Sequence, residues 1–226
     1  MEYKRVLAFG DMHGHFSKFM TLYERVGVTD EDLLIFLGDY IDRGSENVKA
    51  LKWIMEEARK PNVVALKGNH EQMMFDCIMH NDMNWLFNGG LKTLTETRVE
   101  VRSNPNFITD AITFIRERPL YYRMTIDGRE YIFVHAGVDA YEDHAPSIED
   151  QDEMKLLWVR EDFYNYYEGE ATYVVGHTPV QYLHADPPYP IKVEGRNIWL
   201  LDTGSYIDDG KISCLDVKSK RIWQSD

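Results

Sequence analysis

Three short apolar runs, each followed by glycine and polar residues, constrain the fold of this 226-residue chain more than any other feature. The runs are VLAF at 6–9, LLIFL at 33–37 and VVAL at 63–66. Continuous apolar runs of this length are typical of parallel strands buried on both faces. Apolar residues at helical spacing separate the runs, most clearly over residues 16–26. The first third of the chain is therefore predicted to form a parallel sheet with strand, helix, strand, helix, strand order.

The pattern changes after a mostly helical middle at about residues 71–118. Strand-like runs then lie at residues 121–126, 131–135, 173–175, 198–201 and 211–217. Asp127-Gly128, between the first two of these runs, is a strong signal for a hairpin turn. These later strands predict a second sheet. We therefore predict an α/β (α+β) fold in which two sheets pack together with helices outside them.

Polar motifs stand where the predicted strands end. They are GDMHG at 10–14, GDYIDRG at 38–44, GNHE at 68–71, HAG at 135–137 and GHT at 176–178. The first three recur at the distance of βαβ units, roughly 30 residues. Because the carboxyl ends of parallel strands share one edge of a sheet, we expect the motifs to converge in one crevice.

The motifs together offer oxygen and imidazole ligands without a thiolate. The candidate ligands are Asp11, His13, Asp39, Asn69, His135 and His177. This mixture suits divalent manganese, iron(II) or zinc. A carboxylate can bridge two ions, and two ions roughly 3.5–4 Å apart can hold a hydroxide and clamp the oxygens of a transferred phosphoryl group. The residues alone therefore predict a dinuclear hydrolytic site that needs no covalent intermediate.

At these motifs the chain closely resembles the phosphoprotein phosphatase family of calcineurin-like metallophosphoesterases, in particular its short bacterial and phage serine/threonine protein phosphatases. Five motifs stand in family order over residues 10–178, and LDTG at 201–204 is also similar. The resemblance implies a central two-sheet β-sandwich flanked by helices, with residues 1–226 as a single catalytic domain. It also implies hydrolysis of phosphate monoesters by a metal-bridging hydroxide. The implied substrates are phosphoproteins or phosphopeptides, with dual specificity left open, and inorganic phosphate is the product.

The resemblance further implies a role for each matching residue. The implied ligands are Asp11 and His13 for one metal ion, Asn69, His135 and His177 for the other, and Asp39 as the bridge between them. His70 is the implied general acid, and Asp42 orients its ring. Arg43 and Arg160 are implied to bind the phosphate, Arg160 on the short match LWVR at 157–160. Two divalent metal ions are the implied cofactors, with manganese first and iron(II) or zinc as alternatives.

Composition excludes other classes of partner. The formal net charge of −13 would repel nucleic acid and acidic membranes. No apolar run approaches the roughly 18 residues of a membrane-spanning helix, and the start of the chain leads into a strand-like run, so we expect a cytoplasmic protein. Cys77 and Cys214 belong to no CxxC pair, which predicts free thiols. Residues 139–154 hold seven acids, including Glu142 and Asp143, and are predicted to form a solvated loop or the rim of the pocket.

Two features of the helical middle are interpreted structurally. Glu71 is predicted to accept hydrogen bonds behind the ligands or to complement the helix dipole. Asn88-Gly89-Gly90 is predicted to end a helix and form a turn.

Two other functions compete with the phosphatase prediction. One is symmetrical hydrolysis of bis(5'-nucleosyl) tetraphosphates, because enzymes of that kind have much the same metal site. The resemblance weighs against it, since those relatives usually lack an aspartate in the position of Asp42. The other is a non-catalytic binding module derived from a phosphatase. Such a module should have lost a ligand, and this sequence retains the full set.

Overall fold

Two five-stranded sheets form the centre of the computed structural model, which describes residues 3–140 and 147–226. In chain order the strands are β1 (Arg5–Phe9), β2 (Asp32–Phe36), β3 (Val63–Ala65), β4 (Tyr121–Ile126), β5 (Arg129–Val134), β6 (Thr172–Val175), β7 (Ile191–Lys192), β8 (Ile198–Leu200), β9 (Ser213–Asp216) and β10 (Ile222–Gln224). The first sheet has the order β10-β9-β1-β2-β3 and the second β4-β5-β6-β8-β7. The predicted two-sheet architecture is confirmed.

Strand directions follow the predicted pattern in the first sheet, where β1, β2 and β3 are parallel. In the second sheet β5, β6 and β8 are parallel, and β4 and β7 are antiparallel edge strands. Asp127 and Gly128, both with positive φ, join β4 and β5 in the predicted hairpin. Such dihedrals match the right-handed twist of the paired strands.

One strand lies in a different sheet from the one predicted. The sequence predicts the run at 211–217 in the second sheet, but β9 pairs antiparallel with β1 of the first sheet, with Ala8 opposite Leu215. The apolar pattern of a strand reports that it is buried and does not report its partner. Pairing here covers the backbone groups that β1 would otherwise expose at a sheet edge. The short strands β7 and β10 were not predicted, because two or three residues carry too little periodicity.

Alternate side chains of β1 enter two different cores. Leu7 and Phe9 face the helical side of the first sheet, where Phe9 stacks on Phe36 with ring centroids 4.9 Å apart. Val6 and Ala8 face the second sheet and belong to a cluster with its buried side chains. This alternation is the period-2 geometry of a strand, and it accounts for the continuous apolar run in the sequence.

Helices cover the outer faces of both sheets. They are α1 (Phe16–Val26), α2 (Asn47–Glu57), α3 (Asn69–His80), α4 (Leu91–Glu100), α5 (Phe107–Arg116), α6 (Glu153–Trp158) and α7 (Glu161–Tyr166). Side chains of α1, α2, α3 and α5 share a core with the first sheet, and those of α6 and α7 share one with the second. In the described part of the chain, no helix combines the length and hydropathy needed to cross a membrane. Cys77 and Cys214 are free, as predicted.

The segment between α3 and α4 contains the predicted turn. Helix α3 ends at His80 and is capped by Asn81 in the left-handed conformation. A short helical turn follows and ends at Asn88 and Gly89, whose φ values of −101° and 103° belong to dihedrals that are not helical. These two residues form a kink between that turn and α4, so the prediction for Asn88-Gly89-Gly90 is confirmed.

Candidate metal centre

The predicted ligands converge at the carboxyl ends of the strands. Those of the first sheet lie after β1, β2 and β3, and those of the second lie after β5 and β6. All of these side chains are at most 4% exposed: Asp11, His13, Asp39, Asn69, His135 and His177. The folding of one sheet against the other therefore buries a set of polar side chains at one edge of the sandwich. Which ions they bind stays a prediction.

Two groups of possible ligand atoms overlap at Asp39. One group contains His13, Asp39 and His70, and the other contains Asp39, His135 and His177. Within each group the ligand atoms lie within 4.8 Å of one another. Because Asp39 belongs to both, its carboxylate is placed to serve two ions.

Asp11 and Asn69 lie next to the histidines of the two groups. The Oδ2 of Asp11 lies 4.0 Å from the Nε2 of His13. The amide oxygen of Asn69 lies 2.9 Å from the Nε2 of His135 and 3.0 Å from the Nδ1 of His177. The first group thus contains His70, whereas the family resemblance implied Asp11 as the partner of His13. Asp11 contacts this group through His13 alone among the described contacts.

Backbone carbonyls fix the tautomers of two histidines. The Nδ1 of His13 lies 3.1 Å from the carbonyl oxygen of Ile41, and the Nδ1 of His135 lies 2.8 Å from that of Leu37. A carbonyl can only accept, so each Nδ1 carries the proton and donates it. Each Nε2 is therefore left with a free lone pair directed at the cluster, which is how a ligating histidine is usually held.

The donor set fits divalent cations. Burial lowers the pKa of His13 to about 3 and also lowers the pKa of His135 and His177, which keeps these imidazoles neutral. Burial, with the nearby charges of Asp202 and Asp39, raises the pKa of Asp11 well above its ordinary value. Cations among these oxygens would relieve that mutual repulsion, and the neutral imidazoles offer lone pairs to them.

His70 differs from the other histidines of the cluster. Its Nδ1 lies 2.7 Å from the Oδ2 of Asp42. Burial alone would lower the pKa of His70, but the charges of Asp39 and Asp42 and the hydrogen bond from His70 to Asp42 outweigh it and raise the pKa. His70 therefore keeps a proton under conditions in which its neighbours are neutral.

Two arginines stand beside the cluster. The Nη1 of Arg160 donates to the carbonyl oxygen of His177 at 2.9 Å and to the hydroxyl of Thr178 at 3.0 Å. The guanidinium of Arg43 lies 4.5 Å from the ring centroid of Tyr206, a cation–π distance. The two guanidinium groups thus lie beside the candidate ligands His177 and His13, and His13 contacts Tyr206 edge-on.

Glu71 holds the loops that carry Asp39 and Asn69. Its carboxylate accepts hydrogen bonds from the backbone N–H groups of Asp39, Tyr40 and Gly68, at 2.8, 2.9 and 3.0 Å. Burial and the charge of Asp39 raise the pKa of Glu71 to about 8. This contact is the structural role that was predicted for Glu71.

Strained backbone is concentrated at the same place. His13, Asp39, Asp42, Arg43 and His177 all have φ between 45° and 76°, a conformation that side chains other than glycine rarely adopt. A Cβ on Gly176 would lie 2.1 Å from the Oδ1 of Asp11, so only glycine fits there. Strain of this kind persists where the surrounding structure imposes it, most often at functional sites.

Several side chains at the centre were not identified from the sequence. Asp202, in the LDTG segment, accepts the N–H of Gly204 through one oxygen, and its other oxygen is buried without a partner. Tyr206 has no sequence signal. Trp85 and Thr93 both contact Asp42, and neither lies in a sequence motif.

The acidic stretch at 139–154 is described in part. Asp139 pairs with Lys155 at 3.3 Å, and Glu149 pairs with Arg123 at 2.6 Å. These partly exposed pairs fit a solvated segment. Glu142 and Asp143 lie outside the described residues, and a role of this stretch as a rim stays a prediction.

Comparisons with known proteins agree with this arrangement. The profile of the calcineurin-like phosphoesterase family matches residues 4–215. Serine/threonine-protein phosphatase 2 of Salmonella typhimurium is 27% identical, over 96% of this chain and 94% of its own length. The asymmetrical bis(5'-nucleosyl)-tetraphosphatase PrpE of Bacillus cereus is 26% identical, over 76% and 77%. A protein serine/threonine phosphatase structure from Saccharomyces cerevisiae superimposes with a TM-score of 0.65 at 16% identity, covering 100% of this chain and 80% of that one.

Proposed function

The chain belongs to the calcineurin-like phosphoesterase family, and from that premise we propose that it is a dinuclear-metal-dependent protein phosphatase acting on phosphoserine and phosphothreonine. The observation that carries the proposal is the place of Asp39 in both groups of candidate ligands. The whole chain is taken as one catalytic domain. In this proposal Asp11 and His13 serve one ion and Asn69, His135 and His177 the other, with manganese as the preferred metal.

When bound, two divalent cations supply Lewis acidity and a nucleophile at neutral pH. The protein residues hold the substrate and move the proton. In the proposed reaction a water oxygen bonds to phosphorus as the bond from phosphorus to the side-chain oxygen of the substrate breaks. Inorganic phosphate and a free hydroxyl side chain are the products.

His70 is the proposed general acid. A serine or threonine alkoxide is a poor leaving group, so the oxygen must gain a proton as the P–O bond breaks. The proton on Nδ1 of His70 is held by Asp42, which leaves Nε2 to donate to the leaving oxygen. The raised pKa of His70 supports this role, since the neutral ligating histidines around it cannot supply a proton.

Arg43 and Arg160 are proposed to bind the phosphate group. A guanidinium offers two parallel N–H donors to phosphate oxygens, and both arginines lie beside the ligands. Arg160 is anchored through Nη1 to the His177 loop, and Arg43 rests on Tyr206. Both contacts leave further N–H groups of each arginine for a phosphate.

Asp42 favours a phosphate monoester over a dinucleotide as the substrate. Transfer from an alkyl leaving group needs the Asp42–His70 pair, whereas a phosphate or phosphoanhydride leaving group is stable without a proton. The net charge of −13 also disfavours a polyphosphate chain more than a single phosphate on a peptide. Hydrolysis of bis(5'-nucleosyl) tetraphosphates remains the second candidate, because relatives such as the Bacillus cereus protein carry that name.

A panel of phosphopeptides tests the proposal. Manganese-loaded protein should release phosphate from phosphoserine and phosphothreonine peptides, and a phosphotyrosine peptide in the same panel measures dual specificity. The Asp42→Asn variant should lose more activity on the first two peptides than on the third, because a phenolate leaves more readily. If the loaded protein releases phosphate from neither the phosphoserine nor the phosphothreonine peptide, the proposal is wrong.

A further inference from the structure

The carboxylate of Asp42 makes more contacts than its pairing with His70 requires. Asp42 is fully buried, and its Oδ2 is the atom that faces His70. Two other side chains, Trp85 and Thr93, also donate hydrogen bonds to this carboxylate. Both are at most 1% exposed and lie in the segment between α3 and the first turn of α4. Neither lies in any of the sequence motifs.

Thr93 contacts Asp42 in two directions. Its hydroxyl donates to the Oδ1 of Asp42 at 2.5 Å and accepts the backbone N–H of Asp42 at 3.2 Å. A hydroxyl has one proton and two lone pairs, so both bonds can form at once. The pair of bonds ties the carboxylate to its own backbone and limits rotation of the side chain.

Trp85 spans both oxygens of the same carboxylate. Its indole Nε1 lies 3.1 Å from Oδ1 and 2.9 Å from Oδ2 of Asp42. Indole nitrogen is a donor only, so the direction of the bond is certain. Together with His70 and Thr93, Trp85 leaves the carboxylate with one orientation that satisfies every donor.

The local backbone is shaped around this contact. A Cβ on Gly90 would lie 2.6 Å from the indole ring of Trp85. Gly89, with φ of 103°, lies against the side chain of Arg43 and the Cβ of Asp42. The kink at Asn88 and Gly89 thus brings this segment against the Asp42–Arg43 loop.

We propose that Trp85 and Thr93 are positioning residues that hold the Asp42 carboxylate in the orientation in which it fixes the His70 ring for proton transfer. This inference rests on the proposed role of His70 as the general acid. A buried carboxylate that lost one donor would turn toward the donors that remain, because an unmet acceptor is costly in a buried environment. The Nε2 of His70 would then be less well aligned with the leaving oxygen, although the metal ligands would be untouched.

Substrates with different leaving groups separate positioning from general damage. A phosphoserine peptide has a leaving group that needs a proton, and p-nitrophenyl phosphate has one that hardly does. The measured quantity is the ratio of kcat on the two substrates. Trp85→Phe keeps an aromatic ring and removes the N–H, and Thr93→Val keeps the shape and removes the hydroxyl.

Matched controls remove the same groups elsewhere. Thr97→Val removes a hydroxyl one turn further along α4, where it donates to the carbonyl oxygen of Thr93 and does not contact Asp42. Trp53→Phe makes the same change in the helical core, where Trp53 contacts Phe19 edge-on. Thr93→Ser restores the hydroxyl and serves as the rescue. Melting temperature and bound-metal content are measured for every variant.

The expected result is a selective loss. Trp85→Phe and Thr93→Val should each lower kcat on the phosphoserine peptide by about 10-fold, a fraction of the roughly 10²–10⁴-fold that general acid catalysis contributes. Both variants should keep the kcat on p-nitrophenyl phosphate and the metal content of the wild type. The two controls should keep the wild-type ratio of kcat on the two substrates. Thr93→Ser should recover most of the loss. In an Asp42→Asn background, Trp85→Phe should change the ratio by less than about twofold, since the two residues act through one group.

Two outcomes overturn the inference, and they differ in what they say about His70. In the first outcome, Asp42→Asn lowers kcat selectively on the phosphoserine peptide, but Trp85→Phe and Thr93→Val lower kcat equally on both substrates. Trp85 and Thr93 then only support the fold. His70 then keeps its proposed role. In the second outcome, Asp42→Asn itself lowers kcat equally on both substrates. The general-acid assignment then fails, and the inference fails with it. Should Trp85→Phe not fold, Thr93→Val decides the question alone.

Discussion

The Nδ1 of His70 lies 2.7 Å from the Oδ2 of Asp42, and both side chains are almost completely buried beside the candidate metal ligands. This pair distinguishes His70 from the neutral histidines around it, because Asp39 and Asp42 raise its pKa against the effect of burial. Its chemistry can be tested without reference to the identity of the natural substrate.

His70→Asn should keep the metal ions and lose turnover. General acid catalysis typically contributes about 10²–10⁴-fold, so kcat on a phosphothreonine peptide should fall within that range. The loss of kcat should be much smaller on p-nitrophenyl phosphate. Asp42→Asn should lower kcat on each substrate by less than His70→Asn does. The metal content, measured by atomic emission, should not change. A metal count that falls with the substitution would make His70 a ligand, as its place in the first ligand group allows.

Chelation should abolish activity, and manganese should restore it. Asp39→Asn should lower kcat by more than about 100-fold, which exceeds the cost of losing a residue that only hydrogen-bonds to a metal ligand. It should also lower the metal content, since this carboxylate belongs to both ligand groups. Asp76→Asn changes a carboxylate further along α3 and is the control. This variant should retain the wild-type kcat and metal content. Full turnover in a preparation verified to be metal-free would contradict this account.

Arg43→Ala and Arg160→Ala should weaken the binding of phosphate. Each removes a charge-assisted contact, so kcat/KM on a phosphothreonine peptide should fall by about 10–100-fold. The inhibition constant of inorganic phosphate should rise by a similar factor, because the product uses the same donors. Arg59→Ala removes an exposed arginine that pairs with Glu56 and should change neither value. An unchanged phosphate inhibition constant in either site variant would remove that arginine from the proposed phosphate site.

Glu46 should make the stability of the protein depend on pH. Hydrogen bonds from Ser17 and Lys49 outweigh desolvation and lower the pKa of Glu46 from 4.5 to about 2. A carboxyl with a lowered folded-state pKa stabilises the protein fully above its unfolded pKa, and the effect is lost as the pH falls toward the folded pKa. Glu46→Gln should therefore lower the free energy of unfolding by about 1 kcal/mol at neutral pH, a value limited by solvent screening.

The same substitution should have a smaller effect at about pH 3, within the window between the two pKa values. Glu56→Gln is the control, because its ion pair with Arg59 is 70% exposed and should contribute little at either pH. Urea unfolding at the two pH values measures both variants. An effect of Glu46→Gln that is equal at the two values would show that its carboxylate is not the source of the stability.

Much of the fold could be predicted because the parallel strands carry an unambiguous apolar signal. The polar motifs then followed from the rule that parallel strands end at one edge of a sheet. The partner of β9 could not be predicted, because a strand's own pattern does not name its neighbour. Strands β7 and β10 were too short to show periodicity at all.

The predicted ligands could be located in the sequence because each stands in a short motif with glycine. Trp85 and Thr93 could not, since they reach Asp42 across separations of 43 and 51 residues and belong to no motif. The left-handed backbone at Asp42 and Arg43 was equally hidden. Such conformations are imposed by contacts from other parts of the chain, such as the hydrogen bond from the backbone of Asp42 to Thr93.

The central claim is that this site acts on phosphoprotein monoesters. The most direct test is the ratio of kcat/KM on a phosphothreonine peptide to kcat/KM on diadenosine tetraphosphate, at the same manganese loading and ionic strength, because that ratio measures differential binding of the transition states. The account predicts that the peptide is the better substrate. A preference for the dinucleotide of tenfold or more, a difference of about 1.4 kcal/mol, would contradict it and leave only the metal-dependent phosphoesterase chemistry.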